Sequence, residues 1–365
     1  MRRLKPGKWT LWLLALWPLF LPHSASAQSD PADGASWRTN LLVYHTRHGN
    51  IAPVRSKADW AERRKEILTA MQSIMGPLPG KEKRCPLDLR VESEKDCGTY
   101  RQRLITYASE PGGRVPAYLL IPKETEHSTE RFPAVLALHP TDMEYGHRTV
   151  VEERRKNYRA YGRDLVERGY VVLAPAYPLM ANYQPDLKGL GYRSGTMKAI
   201  WDNLRGLDLL ETLPYVEKKK FGAIGHSLGG HNSIYTAVFE PRLKVVVSSC
   251  GFDSFQDYQG GDITGWTSER YMPALAGYKA RLREVPFDFY EVLAALAPRQ
   301  VFINAPLRDS NFDWRSVDRI VTAASAIYRL EGAPQSLTVE HPDCEHDFPP
   351  EMREKAYKLL DEVLR

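Results

Sequence analysis

The sequence predicts an α/β fold with a mostly parallel central sheet of about eight strands and helices on both faces. From residue 132 onward, short apolar runs alternate with amphipathic segments of helical length. The apolar runs are continuous rather than alternating, which is typical of parallel strands covered on both faces. Upstream, three short extended runs are separated by Gly and Pro, which indicates an antiparallel N-terminal meander in front of the parallel part.

The elements follow from these patterns in chain order. A first helix is predicted over 59–75, because apolar residues recur there at helical spacing and Gly76-Pro77 then ends the helix. The meander strands are expected at 87–92, 100–107 and 116–121. Six further strands are expected at 134–138, 170–174, 221–225, 245–249, 301–305 and 337–340. Helices are expected between or after them at 150–167, 195–213, 229–239, 314–330 and 350–364.

Residues 1–27 have the three parts of a secretory signal peptide: a basic stretch, an apolar run over 9–21 and the small-residue site Ala25-Ser26-Ala27. The run is too short for a spanning helix, which needs about 20 residues, so no stable membrane anchor is expected. The sequence therefore predicts an exported protein, periplasmic or extracellular after removal of this segment.

The composition is that of a soluble globular protein, with 43% hydrophobic and 26% charged residues. The formal net charge is +5, and four of the basic side chains lie in the segment 1–27, which has no acidic residue. The remaining chain is therefore almost neutral. Without a basic face or an interleaved aromatic platform, nucleic acid is not an expected partner.

The sequence GHSLG at 225–229 carries the strongest functional signal. It follows the apolar strand FGAI and precedes a helical pattern, which is the strand-turn-helix context of a nucleophile elbow. A serine hydroxyl is a weak nucleophile and needs a base, an acid that orients the base, and donors for the oxyanion. Ser227 is therefore the predicted nucleophile, and glycines stand at 225 and 229 because the turn is tight.

The base is expected after the last strand, where the chain reads HPDCEHDFP from position 341. We predict His346, because His341 lies at the strand end, where a structural hydrogen bond is expected. The crowded group His341, Asp343, Cys344, Glu345 and His346 lacks the helical spacing of a metal site, so no metal and no cofactor are predicted.

The acid is expected after the penultimate strand, in the loop 306–313. Asp309 comes soonest after the strand and is the predicted acid, while Asp313 lies where an N-cap of the next helix is expected. The resulting chain order is Ser, Asp, His.

The oxyanion donors are expected to be backbone N–H groups at two places. One is that of Leu228, directly after the nucleophile, and the other lies in the loop after strand 134–138. In that loop Pro140 has no N–H, so we predict Thr141. His139 is a candidate for substrate binding, although bracing of the loop is the favoured role. The neighbouring His226 and His231 are expected to pack rather than to transfer protons.

Four cysteines follow the signal segment, and their pairing is not set by the sequence. A bridge between Cys85 and Cys97 is one possibility in an oxidising compartment. Cys250, at the end of a predicted strand, is expected to be buried. No pairing is predicted for Cys344.

With these residues in hand, the chain resembles the α/β-hydrolase superfamily over about residues 130–365. More narrowly, it resembles the dienelactone hydrolase, prolyl oligopeptidase and acetylxylan esterase-like branch of exported bacterial proteins. The resemblance rests on ALHPT (137–141), ERGYVVLAPAYP (167–178), IGHSLGGHNS (224–233), APRQVFINAPLRDSNFD (297–313) and DCEHDFPPE (343–351). It implies the α/β-hydrolase fold and the same Ser227, His346 and Asp309. Two departures from relatives are Ala176, where an aspartate is common, and the absence of the glucuronoyl esterase motif GCSRxGK.

The expected organisation is a signal peptide over 1–27, an N-terminal extension with a helix over 28–83, and a catalytic domain over 84–365. A lid-like excursion at 251–299 is rich in Gly and aromatic residues, and long excursions of this kind usually cover a site. The lid offers stacking and hydrogen-bonding groups suited to a sugar ring, or else packs without touching substrate. The candidates are Asp253, Tyr258, Asp262, Trp266, Arg270 and Tyr271.

The sequence thus predicts a serine carboxylesterase acting on acetyl-type esters of a small molecule or carbohydrate. A prolyl oligopeptidase-like peptidase is the alternative, although the N-terminal chain is too short for a propeller. A catalytically inert hydrolase-like binding protein is the third hypothesis. The oligomeric state is not predicted.

Overall fold

The structure, a computed structural model, describes residues 39–46, 48–152 and 159–365. The predicted signal peptide lies outside these residues. The strands are β1 (Val43–His45), β2 (Ile51–Pro53), β3 (Arg90–Asp96), β4 (Tyr100–Glu110), β5 (Gly113–Pro122), β6 (Phe132–Leu138), β7 (Val171–Pro175), β8 (Val216–His226), β9 (Leu243–Ser249), β10 (Gln300–Asn304) and β11 (Leu337–Glu340). The α-helices are α1 (Lys57–Met75), α2 (Tyr161–Glu167), α3 (Gly195–Thr212), α4 (Leu228–Phe239), α5 (Phe289–Ala294), α6 (Trp314–Glu331) and α7 (Pro350–Leu364).

The large sheet has nine strands in the order β11-β10-β9-β8-β6-β7-β5-β4-β3. The strands from β6 to β11 pair in parallel, and β3, β4 and β5 continue the same sheet in antiparallel pairing. The α/β-hydrolase fold with an antiparallel meander is therefore confirmed. The predicted number of about eight strands is one short, because all three meander strands join the six parallel strands in one sheet.

The parallel strands have apolar central runs, such as 134–138 and 245–247, because helices cover both faces of the sheet. On one face, a core that includes Trp201 and Phe221 packs β6 and β8 against α3 and α4. On the other face, a second core that includes Tyr161 and Tyr357 packs the sheet against α2 and α7. This layering puts the carboxyl ends of β6, β8, β9, β10 and β11 at one edge of the sheet.

The helix predicted over 150–167 is wrong at its start. Val150 ends a 3-10 turn that begins at Gly146, whereas the end of the prediction agrees with the α-helix Tyr161–Glu167. Residues 153–158 of the predicted helix lie outside the described residues. Hydrophobic spacing alone does not distinguish the 3-10 turn from the first turn of an α-helix. The other predicted helices agree with the structure to within about two residues at their ends.

The helix of the predicted N-terminal extension, α1, begins at a capping box formed by Ser56 and Asp59. It is joined to α5 by a buried ion pair between Arg63 and Glu291. Arg64 of the same helix donates to the carbonyl of Ala295, at 3.1 Å from Nε. Helix α1 therefore packs directly against α5 and the residue that follows it, within the excursion 251–299.

No helix within residues 39–46, 48–152 and 159–365 combines the length and the apolar character needed to cross a bilayer. All four cysteines are free thiols, so the bridge considered between Cys85 and Cys97 is not present. Cys250 is buried, as the sequence predicts.

Candidate active site

The turn between β8 and α4 holds Ser227 in an uncommon backbone conformation, with φ 54° and ψ −121°. A side chain at position 229 would place its Cβ 1.9 Å from the carbonyl oxygen of Leu138, and one at position 225 would lie 2.1 Å from the backbone of Gly229. Only glycine fits at both places, which is the physical reason for the G-x-S-x-G pattern. The strained turn presents the Ser227 hydroxyl at the edge of the sheet.

Three predicted side chains, which come from three different loops, form one hydrogen-bonded row. Nε2 of His346 lies 2.9 Å from Oγ of Ser227. Nδ1 of the same ring lies 3.0 and 2.9 Å from the two carboxylate oxygens of Asp309. When Nδ1–H donates to the carboxylate, Nε2 holds the lone pair that accepts the serine hydrogen. The arrangement is therefore that of a nucleophile, a base and an orienting acid.

Asp309 is held as a carboxylate. Burial alone raises its pKa, but the hydrogen bond from His346 and the backbone N–H groups of Asn311 and Phe312 outweigh burial, so the pKa lies below its usual range. Those two N–H groups donate to Oδ1 at 2.8 and 3.2 Å. An ionised acid beside Nδ1 stabilises the imidazolium that forms when the base takes a proton.

The rival residues of the same loops have other partners. Asp313 caps α6, accepting a hydrogen bond from the N–H of Arg315 at 3.1 Å. His341 bonds the carbonyl of Ala305 at 2.6 Å and the carboxylate of Asp318 at 2.8 Å. Asp313 and His341 therefore have the structural roles that the sequence suggested, namely a helix N-cap and a hydrogen bond at the end of a strand.

The crowded group at 341–346 does not converge on one point, because His341 and His346 bond different loops. Among the described residues, the donor set with metal-like spacing is Cys250, Asp309 and His346, whose donor atoms lie within 4.8 Å of one another. Two of these three are already joined by the hydrogen bond described above. Burial raises the pKa of the Cys250 thiol well above its usual range, which favours the protonated form over the thiolate that binds metals.

The two predicted oxyanion donors lie on adjacent elements. Leu228 is the first residue of α4, where backbone N–H groups have no carbonyl one turn earlier to bond. Thr141 follows β6, whose end approaches the elbow at Gly229. Within the described part of the chain, the Thr141 N–H donates to no protein acceptor. Both groups are thus available for a ligand.

The candidate role of His139 in substrate binding is wrong, because the ring is only 3% exposed and both nitrogens bond within the protein. Nδ1 donates to the carbonyl of Pro140 at 2.8 Å, and Nε2 accepts from the N–H of Tyr177 at 2.9 Å. Burial lowers its pKa to about 4, so the ring is neutral. His139 braces the loop that carries Thr141.

Two lid candidates are also corrected, since Asp253 and Trp266 are 2% and 6% exposed and lie inside the lid. Asp253 accepts a hydrogen bond from the N–H of Asp313 at 3.0 Å, and Trp266 stacks on His231 with ring centroids 4.5 Å apart. Neither presents a face to a sugar ring. Hydrophobic spacing could not show that these two side chains are buried, because the lid packs through short 3-10 turns rather than through long helices or strands.

The remaining lid candidates lie at or near the surface. Arg270 and Tyr271 are half-buried, and the Tyr271 hydroxyl lies 3.1 Å from Oγ1 of Thr141. Tyr258 is half-buried between Trp266 and Phe312, and Asp262 caps a 3-10 turn. Tyr271 is therefore the candidate that reaches the predicted oxyanion loop, whereas the Arg270 side chain bonds the carbonyl of Leu179.

His226 packs beneath the row, as predicted, with its ring centroid 4.8 Å from that of His346. Its Nδ1 lies 2.9 Å from Oγ of Ser249. Burial holds the pKa of His226 well below its usual range, so it adds no positive charge beside the base. His231 is likewise buried, between Tyr235 and Trp266.

Two residues that the sequence interpretation did not single out hold the loop of His346. Asn304, at the end of β10, donates to the carbonyl of Asp347 at 2.8 Å. Arg159 donates through Nη2 to the carbonyl of His346 at 2.7 Å and also pairs with Asp347. A buried asparagine that ends an apolar strand was the available signal for the first. Arg159 gives no signal in the sequence, because it precedes α2, far along the chain.

Comparisons with known proteins agree with this fold. The model of the dienelactone hydrolase family matches residues 115–262. The chain is 26% identical to the Bacillus subtilis hydrolase YtaP, covering 83% of this chain and 99% of that protein. It is 23% identical to 4-O-methyl-glucuronoyl methylesterase 1 of Wolfiporia cocos, covering 97% and 89%. A glucuronoyl esterase from Solibacter usitatus superposes with a TM-score of 0.71 at 20% identity, covering 90% of this chain and 98% of that chain.

The resemblance to the α/β-hydrolase superfamily and to its dienelactone hydrolase branch is thereby confirmed. A CE15 esterase from a marine bacterial metagenome is a further structural neighbour, with a TM-score of 0.66 at 16% identity over 89% of this chain and 96% of that chain. At this level of identity the structural neighbours establish the fold.

Proposed function

We propose that the chain is an exported serine carboxylesterase that cleaves an ester carried by a carbohydrate. The observation that carries this proposal is the position of His346, whose ring bridges the Ser227 hydroxyl and the Asp309 carboxylate at hydrogen-bond distances. The family match and the esterase names of several relatives support the reaction class. The reaction is two-step acyl transfer.

In the first step, Oγ of Ser227 attacks the ester carbonyl while Nε2 of His346 takes the hydroxyl proton. The tetrahedral intermediate collapses as the imidazolium returns that proton to the leaving alcohol. In the second step, water attacks the acyl-enzyme and the same nitrogen removes its proton. The imidazolium then returns this proton to Oγ of Ser227 as the bond to the acyl group breaks and the free acid leaves, and Asp309 stabilises the imidazolium in both steps.

The negative charge of each intermediate falls on the former carbonyl oxygen. We assign its stabilisation to the N–H groups of Leu228 and Thr141, which belong to the start of α4 and to the loop after β6. The loss of one such donor typically costs about 3 to 4 kcal/mol of transition-state stabilisation. Both donors are backbone N–H groups rather than side-chain groups.

Two ester classes fit this site. The acetyl-type ester is the class that the sequence favours, while several relatives are named as esterases of glucuronoyl groups. Where the motif GCSRxGK has arginine, this chain has Leu228, which is 3% exposed and packs in an apolar cluster with Tyr177 and Met180. The chain therefore offers only a backbone N–H at that position, and the cation beside the lid residue that contacts the predicted oxyanion loop is Arg270.

The ester class is tested with matched substrates. We expect hydrolysis of 4-nitrophenyl acetate by the wild type and its loss in Ser227→Ala, with fluorophosphonate labelling of the wild type alone. Acetylated xylo-oligosaccharides and alkyl esters of glucuronic acid, compared by kcat/KM, then assign the acyl group. Cleavage of dipeptidyl amides but not of esters would instead establish the peptidase, and absence of labelling would establish the inert scaffold.

Export is tested separately from catalysis. If residues 1–27 act as a signal peptide, the chain recovered from the periplasm or medium begins at Gln28, as N-terminal sequencing would show. Replacement of the apolar run 9–21 should leave the full-length chain in the cytoplasm. A mature protein that retains residues 1–27 would contradict this part of the proposal.

A further inference from the structure

The lid contacts the predicted oxyanion loop through one pair of hydroxyl groups. The phenol of Tyr271 lies 3.1 Å from Oγ1 of Thr141, a contact between residues 130 positions apart in the chain. The Tyr271 ring also packs against the apolar cluster that contains Leu228. Tyr271 thus touches the residue of one predicted oxyanion donor and the surroundings of the other.

The backbone around Tyr271 is fixed on the start of α3. The N–H of Gly195 donates to the carbonyl of Glu269 at 2.9 Å, and the N–H of Thr196 donates to the carbonyl of Tyr271 at 3.3 Å. A Cβ at position 195 would lie 2.1 Å from the carbonyl oxygen of Arg270, so this close approach requires glycine. The lid segment 269–271 therefore has little freedom to move relative to the helix.

The segment is also held from the loop that follows β7. The hydroxyl of Tyr177 donates to the carbonyl of Arg270 at 3.1 Å. Nε of Arg270 donates to the carbonyl of Leu179 at 3.0 Å. Four hydrogen bonds in all anchor the three lid residues, so the backbone that carries the Tyr271 side chain is fixed.

The backbone of the oxyanion loop is held at two places. Nδ1 of His139 donates to the carbonyl of Pro140 at 2.8 Å, and this carbonyl shares one planar peptide unit with the Thr141 N–H. The N–H of Asp142 contacts the sulfur of Met180 at 3.4 Å. Between these supports, the only side-chain hydrogen bond that Thr141 makes within the described residues is the one to Tyr271. The position of Thr141 therefore depends on two bonds, that of His139 to the preceding carbonyl and that of Tyr271 to the Thr141 side chain.

We infer that Tyr271 is a positioning residue for the oxyanion hole: its hydroxyl holds Thr141 so that the Thr141 N–H points at the developing oxyanion. The inference rests on the proposed function, because it assigns a role within acyl transfer. It also couples lid and chemistry, since any displacement of segment 269–271 would release the donor. Small misplacements of a catalytic group reduce turnover strongly.

The test compares Tyr271→Phe and Thr141→Val, which remove one hydroxyl each, with Thr141→Ser, which keeps it. We expect the first two to lower kcat roughly three- to tenfold on 4-nitrophenyl acetate, the scale of one neutral hydrogen bond, with KM little changed. Thr141→Ser should retain most of the activity. The double variant Tyr271→Phe/Thr141→Val should lose no more than either single variant, because both break the same bond.

A thionoester substrate, in which sulfur replaces the carbonyl oxygen, distinguishes positioning of the oxyanion donor from a merely structural role of Tyr271. Sulfur accepts weaker hydrogen bonds than oxygen, so the thionoester should lose less than the oxygen ester when the donor is misplaced. Tyr278→Phe, the same change elsewhere in the lid where Arg281 covers the ring, should leave both rates unchanged.

Additive losses in the double variant, or equal losses for ester and thionoester, would overturn the inference. The proposed function is judged by different data, namely wild-type hydrolysis and its loss in Ser227→Ala. An active wild type with an unaffected Tyr271→Phe would thus reject the positioning role alone. The folded fraction of each variant is checked by thermal unfolding, and the exposed Thr141 gives a second variant if Tyr271→Phe is unstable.

Discussion

The side-chain amide of Asn304 donates a hydrogen bond to the backbone carbonyl of Asp347, at 2.8 Å, and so joins the end of β10 to the loop that carries His346. The same amide donates to Oγ of Ser249 at 2.8 Å, and that hydroxyl also bonds His226. These side chains are buried, so water does not compete for the bonds. The position of the predicted base is therefore set by a polar network underneath it.

Replacement of Asn304 by the similarly sized Leu should disturb both stability and catalysis. The carbonyl of Asp347 and the hydroxyl of Ser249 each lose a buried donor, which should lower the free energy of unfolding by about 1–3 kcal/mol. Because the loop of His346 is then less fixed, kcat should fall about 10- to 100-fold. Urea denaturation and steady-state kinetics on an activated ester measure the two effects.

Asn203→Leu is the matched control. Asn203 is also buried, and its amide bonds Asn232 and Thr236 at 3.1 and 2.8 Å rather than the histidine loop. A similar loss of stability with kcat per labelled site retained is expected. If both variants lose turnover in proportion to stability, Asn304 has no specific role in placing the base.

Asp309→Asn and Asp313→Asn each replace a carboxylate by an amide, at positions four residues apart. The first should lower kcat by about 10³- to 10⁴-fold, because an amide does not hold the required imidazole tautomer or stabilise its charged form. The second should keep near-normal turnover and stability, because asparagine caps a helix as well as aspartate does. Kinetics with active-site titration compare them, and the opposite order of losses would transfer the acid role to Asp313.

Gly229→Ala should prevent formation of the elbow. Its methyl group would lie 1.9 Å from the Leu138 carbonyl oxygen, a backbone atom at the sheet edge that has little room to yield. We expect insoluble protein, or folded protein without fluorophosphonate labelling. At Gly277 in the lid, an added Cβ meets nothing within 4 Å, so Gly277→Ala should change the free energy of unfolding by less than about 0.5 kcal/mol. An active, labelled Gly229→Ala would show that the turn tolerates side chains.

The buried carboxyl of Asp253 predicts a pH dependence of stability. Burial, with the nearby carboxylates Asp257, Asp288 and Asp313, raises its pKa from 3.8 to about 8. Between these values the folded chain keeps a proton that the unfolded chain releases, so this residue makes the free energy of unfolding fall as pH rises from about 4 to about 8. Above that window its effect is constant.

Asp253→Asn removes this titration and should flatten the decline. Urea denaturation of both proteins at several pH values across the window measures the slopes. Asp343→Asn, at an exposed carboxyl in the same end of the molecule, should leave the wild-type slope unchanged. Parallel curves for wild type and Asp253→Asn would show that Asp253 is ionised in the folded chain.

The parallel strands and the order of the three catalytic candidates could be predicted because they depend on local sequence. A strand buried on both faces is apolar over most of its length, as in 134–138 and 245–247, and the elbow needs glycine at fixed offsets from Ser227. Asp309 and His346 follow two further strands, β10 and β11. Parallel strands bring their carboxyl ends to one edge, so the candidates were expected to meet there.

The wrong predictions concern features that depend on the surroundings of a side chain rather than on the spacing of residues. The sequence does not distinguish an aromatic lid residue that faces substrate from one that packs inward. The predicted substrate-binding role was therefore wrong for Trp266, and likewise for Asp253 and His139. The error at the start of the predicted helix 150–167 has a similar cause, because a 3-10 turn and an α-helix share much of their hydrophobic spacing.

The sequence by itself determined which residue types stand at the ends of which strands, and hence the fold and the catalytic candidates. Only the tertiary structure decided which of them touch: Tyr271 with Thr141 across 130 residues, and Asn304 with the loop of His346. Periodicity encodes which face of an element is buried, because burial depends on one residue's polarity. Contacts between distant loops depend on how whole elements pack, and no local pattern records that.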